Sequence, residues 1–91
     1  MRFAAGVFSL LPHMNISIFG LGYVGAVTAG CLATRGHTIV GVDVHPQKVE
    51  SCNAGVSPIV EPGLNDLLRE ARAAGRLRAT LSCEEAIQAT E

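Results

Sequence analysis

Gly20, Gly22 and Gly25 stand in the spacing G-x-G-x-x-G, and the carboxylate of Asp43 follows them at about the 20-residue distance at which a dinucleotide-binding unit carries its acidic residue. Each glycine answers a separate steric need. The first lets a strand turn tightly, the second lets backbone come up to a pyrophosphate, and the third lets a helix pack close on a strand. A carboxylate at the end of the next strand accepts hydrogen bonds from the adenosine ribose hydroxyls. Its charge repels the extra 2′-phosphate of NADP, so the expected cofactor is NAD. Tyr23 and Val24 open the segment after Gly22. As the first residues of a helix they offer unpaired backbone N–H groups, at the positive end of the helix dipole, to the pyrophosphate. Lys48 lies just beyond Asp43, where its ammonium reaches the same ribose or an adjacent phosphate; with His45 it blunts the bias against a 2′-phosphate. The candidate cofactor-binding residues are therefore Gly20, Gly22, Tyr23, Val24, Gly25, Asp43 and Lys48.

A glycine triplet by itself is a weak signal, and its context gives it weight. Ile16, Ile18 and Phe19 form a β-branched and aromatic run that stops at Gly20, as a strand does before a tight turn. From Tyr23 to Arg35, Val24, Val27, Cys31 and Leu32 recur at helical spacing, while Ala26, Ala29, Gly30 and Ala33 keep another side narrow and let the helix lie close to the sheet and to the cofactor. Gly36 is placed to end that helix in a left-handed conformation. A second apolar run, Ile39 to Val42, ends at Asp43. His37, between these elements, reads as a surface turn residue with no acid placed to orient it. Pro46 suits the first turn of a further helix, through Lys48, Val49 and Cys52 to Gly55, because its missing N–H would have been unpaired there anyway. Alternating β and α segments of this kind predict an α/β fold, a partial Rossmann-type doubly wound parallel sheet.

The chain has 91 residues, 48% of them hydrophobic and 16% charged, with a formal net charge of −1. That composition calls for a packed core and excludes a disordered tail. It also lacks the clustered basic excess of a nucleic-acid-binding surface. The three cysteines, Cys31, Cys52 and Cys83, have no C-x-x-C spacing and leave one over. Neither a disulfide framework nor a metal site is expected, and a reducing cytoplasm fits. Cys31 is expected to be a small core residue of the first helix. Met1 to His13 holds one arginine and a short apolar stretch, Phe3 to Leu11, without a small-x-small cleavage site. Residues 1–13 are expected to be an extension ahead of a natural start at Met14, and residues 14–91 the domain. No apolar run approaches the ~18 residues of a membrane span.

Beyond Gly55 the pattern changes. Val56-Ser57-Pro58-Ile59-Val60-Glu61-Pro62-Gly63 carries two prolines, which bias Ser57 and Glu61 away from helix and predict an extended, stiff loop. Leu64, Leu67, Leu68 and Ala71 then repeat at helical spacing up to Gly75. Arg69, Arg72, Arg76 and Arg78 read as the wet face and exit turn of that helix. Leu77, Ala79 and Leu81 alternate as a short strand, and Ser82-Cys83-Glu84-Glu85 has the form of a capping box that opens one more helix.

Ile18-Phe19-Gly20-Leu21-Gly22-Tyr23-Val24-Gly25, the segment Gly41-Val42-Asp43-Val44, Lys48 and above all Ser57-Pro58-Ile59-Val60-Glu61-Pro62-Gly63-Leu64 resemble the amino terminus of the UDP-glucose/GDP-mannose dehydrogenase family. The likeness covers essentially Met14 to Glu91, and its wording is nearest that of the GDP-mannose branch. The resemblance implies oxidation of C6 of a nucleotide-linked hexose from alcohol to carboxylate, with two NAD reduced in succession. It implies a covalent thioester route on a cysteine that lies downstream of Glu91 with its helpers, so that no catalytic residue is expected in this chain. Tyr23, Val24, Asp43 and Lys48 match the family's cofactor contacts. Glu61 falls in a loop near the active-site entrance without an assigned role. The resemblance further implies an amino-terminal piece of a longer protein, a nucleotide-sugar substrate, no nucleic-acid or membrane partner, and a homo-oligomer when full length. Two other readings stay open on the residues alone. One is a stand-alone NAD-sensing module. The other is a 3-hydroxyacid type of dehydrogenase, which gives no reason for Pro58 to Leu64.

Overall fold

Ile16 and Ile18 alternate with Asn15, Ser17 and Phe19, and this period of two gives the first segment one apolar face as a strand. In the computed structural model, which describes residues 13–57 and 59–90, that strand is β1 (Asn15–Phe19). It is followed by α1 (Tyr23–Thr34), β2 (Thr38–Val42), α2 (Pro46–Asn53), α3 (Leu64–Ala73), β3 (Leu77–Thr80) and α4 (Cys83–Ala89). The strands form one parallel sheet in the order β1-β2-β3, with Ile16 opposite Ile39 and Ile39 opposite Leu77. Helices α1, α2 and α3 pack on one face, around Leu21, Ile39, Leu68 and Leu77. On the other face Val40 and Val42 meet Ala86 of α4, and Ser17 Oγ donates to Ala86 O at 3.0 Å. The chain has thus crossed from one side of the sheet to the other after β3, which makes the sheet doubly wound. Because both faces are covered, β2 is buried at four of its five positions, as a central parallel strand should be.

The close-packed side of α1 is the narrow one, as its small residues predict, with Val27 and Leu32 partly buried beside it. The buried positions are Ala26, Ala29, Gly30 and Ala33, while Val24 is 75% exposed and Cys31 is exposed rather than in the core. Closeness decides this. A Cβ added at Gly30 would stand 3.3 Å from both Leu64 Cδ1 and Leu67 Cβ of α3, so the narrow side of α1 admits the bulky face of α3. Leu81 is likewise not part of β3; it is half exposed, beyond the strand's end.

The outward edge of β3 is closed by side chains. Asn53, the last residue of α2, donates from Nδ2 to Ala79 O at 2.9 Å and accepts the Ala79 N–H on Oδ1 at 2.8 Å, a substitute for the missing neighbour strand. Arg72 Nη1 donates to Leu77 O at 2.9 Å. The start of α4 keeps only half of the capping box. Ser82 Oγ accepts the Glu85 N–H at 3.1 Å, but the Glu85 carboxylate turns to Arg78 at 2.6 Å and to Thr80 Oγ1 at 3.1 Å. Arg78 and Thr80 hold the Glu85 carboxyl below the usual range. At the far end of the sheet His37 is half-buried, and its Nδ1 accepts the Met14 N–H at 3.0 Å. It therefore ties β1 to the turn ahead of β2 instead of lying free on the surface. The reading of residues 1–13 as an extension falls, apart from His13, outside the described residues, as does Pro58. Among the described residues no helix is long and apolar enough to cross a membrane.

Candidate dinucleotide-binding site

The carboxyl end of β1 turns at Gly20, whose φ of +98° only glycine adopts without strain. Its N–H still donates to Val42 O at 2.7 Å, so β1 stays paired to β2 up to the turn. Gly25 lies in the first turn of α1 directly against that bend. A Cβ there would stand 1.8 Å from Gly20 O, and hydrogen is therefore the only side chain that fits. Gly22 is different, with φ −77° and nothing within 4 Å of an added Cβ. Its surroundings are open, as a backbone that receives a ligand requires. The first bond of α1 runs from Ala26 N–H to Gly22 O at 2.9 Å. Tyr23, Val24 and Gly25 ahead of it have no carbonyl one turn back, and their N–H groups head the helix.

Asp43 follows β2 and comes to this loop. It is 8% exposed, and its Oδ2 accepts the Leu21 N–H at 2.8 Å. Its Oδ1 accepts the His45 N–H at 2.9 Å and meets His45 Nδ1 at 2.7 Å. Leu21 is 1% exposed, so its side chain is sunk below the loop while its N–H points at the carboxylate. The Leu21 N–H, followed by the His45 N–H, holds the Asp43 carboxyl well below the usual carboxylate range. The His45 ring and the Lys48 charge act the same way against the opposing effect of burial. A buried carboxylate with charge-assisted bonds of this kind is ionised across the physiological range. Lys48, half-buried in the first turn of α2, is close enough for its charge to act on Asp43.

The structure thus brings Gly20, Gly22, Gly25, the α1 start at Tyr23 and Val24, Asp43 and Lys48 to the carboxyl end of β1 and β2. His37 sits at the opposite end of these parallel strands. Of two further contributors, the sequence passes over Leu21 and marks His45 only as a nearby basic residue. Leu21 acts through its backbone N–H, for which residue type carries no signal. His45 takes its place through an Asx-type turn from Asp43, and an aspartate two residues ahead of His-Pro is the local cue for it. Burial pushes the Cys52 thiol up to about 11, and among the described residues no three of His, Cys, Asp and Glu gather to hold a metal ion.

The family model described as "UDP-glucose/GDP-mannose dehydrogenase family, NAD binding domain" matches residues 14–91. A GDP-mannose 6-dehydrogenase of Azotobacter vinelandii is 62% identical over 78 residues, which cover 86% of this chain and 18% of that protein. A UDP-glucose 6-dehydrogenase of Bacillus subtilis is 42% identical over 74 residues, 81% of this chain and 17% of that protein. The solved ternary complex of GDP-mannose dehydrogenase from Pseudomonas aeruginosa superposes with a TM-score of 0.84 at 55% identity, over 86% of this chain and 18% of that one. The chain therefore spans less than a fifth of the length of these relatives. With the match covering the glycine loop, the Asp43 strand end and the proline-bearing loop alike, the chain belongs to the UDP-glucose/GDP-mannose dehydrogenase family, within its NAD-binding domain.

Proposed function

We propose that residues 14–91 are the opening part of the NAD site of a nucleotide-sugar 6-dehydrogenase that oxidises C6 of GDP-mannose to GDP-mannuronate with two NAD. Residues 1–13 stand outside that domain in this reading. Gly20, Gly22 and Gly25 let the backbone approach the pyrophosphate, the N–H groups of Tyr23 and Val24 receive its charge, and Asp43 with Lys48 holds the adenosine ribose. NAD, when bound, supplies the hydride acceptor. The residues of this chain bind and orient it. The observation that carries the reading is the Asp43 carboxylate, ionised, buried and tied to Leu21 N–H inside the glycine loop. A carboxylate set at this strand end against the glycine loop is where an acceptor for the ribose hydroxyls is needed.

GDP-mannose is favoured over UDP-glucose by the identities of 62% and 42% to the two relatives. No residue of this chain is assigned to the oxidation itself, so the 91-residue chain is expected to bind NAD only weakly and to turn over no sugar. The parent protein is expected to act as a homo-oligomer. Titration calorimetry of the chain with NAD, beside the Asp43→Ala variant, tests the site. The variant should bind at least tenfold more weakly, the loss of roughly one charge-assisted hydrogen bond. Undiminished binding would refute the ribose assignment.

A further inference from the structure

The imidazole of His45 closes the solvent side of the Asp43 carboxylate, and neither the glycine motif nor the fold requires it there. The Asp43 side chain is 7% exposed and that of His45 61%. A carboxylate offers about four lone-pair positions, and three are engaged: one on Oδ2 by Leu21 N–H, two on Oδ1 by the N–H and the ring of His45. Since Asp43 is ionised, the proton in the 2.7 Å contact belongs to His45 Nδ1. These donors are not alike. The two backbone N–H groups are fixed by the loop and the turn, whereas the ring hangs on an exposed side chain that makes no cap bond to α2. The ring can therefore leave the carboxylate without breaking a capping bond of α2.

Resting on the NAD reading, we propose that His45 sets the affinity of the site. Its imidazole occupies Asp43 Oδ1 as an internal stand-in for a ribose hydroxyl and swings out when the dinucleotide arrives. The free protein is then stabilised by a bond that the complex gives up. His45→Ala keeps the backbone N–H and removes only the ring, so it should bind NAD roughly three- to tenfold more tightly, the equivalent of one net hydrogen bond.

Calorimetry with NAD on the whole chain, wild type and His45→Ala, reads that change. Ring-nitrogen NMR of the wild type follows the His45 Nδ1–H signal, which should be protected from exchange in the free protein and lost at saturating NAD. Tighter binding of the variant together with loss of the signal supports the proposal. Equal or weaker binding by the variant, or a Nδ1–H signal that persists at saturation, overturns it and leaves the NAD reading standing. Absence of NAD binding by both proteins overturns the two readings together. The ring signal requires no variant, so it decides the matter even if His45→Ala fails to fold.

Discussion

Gly25 and Gly22 lie three residues apart in one motif, yet alanine at the two positions should have opposite consequences. A Cβ at Gly25 would lie 1.8 Å from Gly20 O and 2.9 Å from Gly20 C, where real Cβ atoms come no nearer than 3.0 Å. Both neighbours are backbone, so the α1 start and the end of β1 must part by more than 1 Å to admit it. Backbone displacement of this kind costs about 1–3 kcal/mol and sometimes more, and the atoms involved put Gly25→Ala at the upper end. Alanine's better helix propensity returns about 1 kcal/mol. The net loss is about 2 kcal/mol, which for a domain of this size lowers Tm by roughly 10 °C. At Gly22 the φ of −77° suits any residue and the added Cβ meets nothing. Reduced freedom of the unfolded chain offsets alanine's weaker N-capping, so stability should change by less than about 0.5 kcal/mol. The methyl group, however, stands where the pyrophosphate must approach, and NAD affinity should fall roughly tenfold. Circular dichroism melts with calorimetry separate the two effects. A Gly25→Ala chain that melts with the wild type, or a Gly22→Ala chain that binds NAD like it, would refute the geometric argument.

The folded-state pKa of Asp43 is depressed from the ordinary 3.8, so the unfolded chain binds more protons in the acid range. Its contribution to stability is complete above the unfolded value and disappears as pH falls towards the folded one. Urea melts should accordingly show wild type more stable than Asp43→Asn by a constant margin from pH 7 down to about pH 5, and that margin shrinking as pH falls through and below the ordinary 3.8; a margin that does not change over the acid range would contradict the assignment of the two backbone bonds. The cysteines should divide by exposure, Cys31 and Cys83 reacting quickly with an aromatic disulfide reagent at pH 8 and Cys52, with its thiol pushed up to about 11, reacting only on unfolding. Three equally fast thiols would show that the core around α2 and α3 opens readily.

Local regularities of the sequence determined the elements. The run from Ile16 to Phe19, the glycine spacing, the Ile39 to Val42 run ending at Asp43, Pro46 and the leucine repeat from Leu64 each specify backbone conformation through sterics and periodicity within a few residues, and each element formed at those places. The order of strands and the sharing of helices between two faces follow almost as directly, because parallel strands joined by helices have few ways to connect. The tertiary structure alone decided which side of each element meets which. On α1 the small residues mark the close-packed side, but only the folded chain decides that Leu64 and Leu67 come up to Gly30 and that Cys31 is left outside the core. The Glu85 carboxylate leaves the capping box because β3 sets Arg78 and Thr80 beside it. The surroundings of Asp43 belong to the same class. Leu21 contributes a backbone N–H that no residue type announces, and the His45 ring takes the outer oxygen only because the turn after β2 brings it there. Short-range order is written residue by residue, whereas contacts between distant segments depend on the fit of surfaces that exist only once the chain has folded.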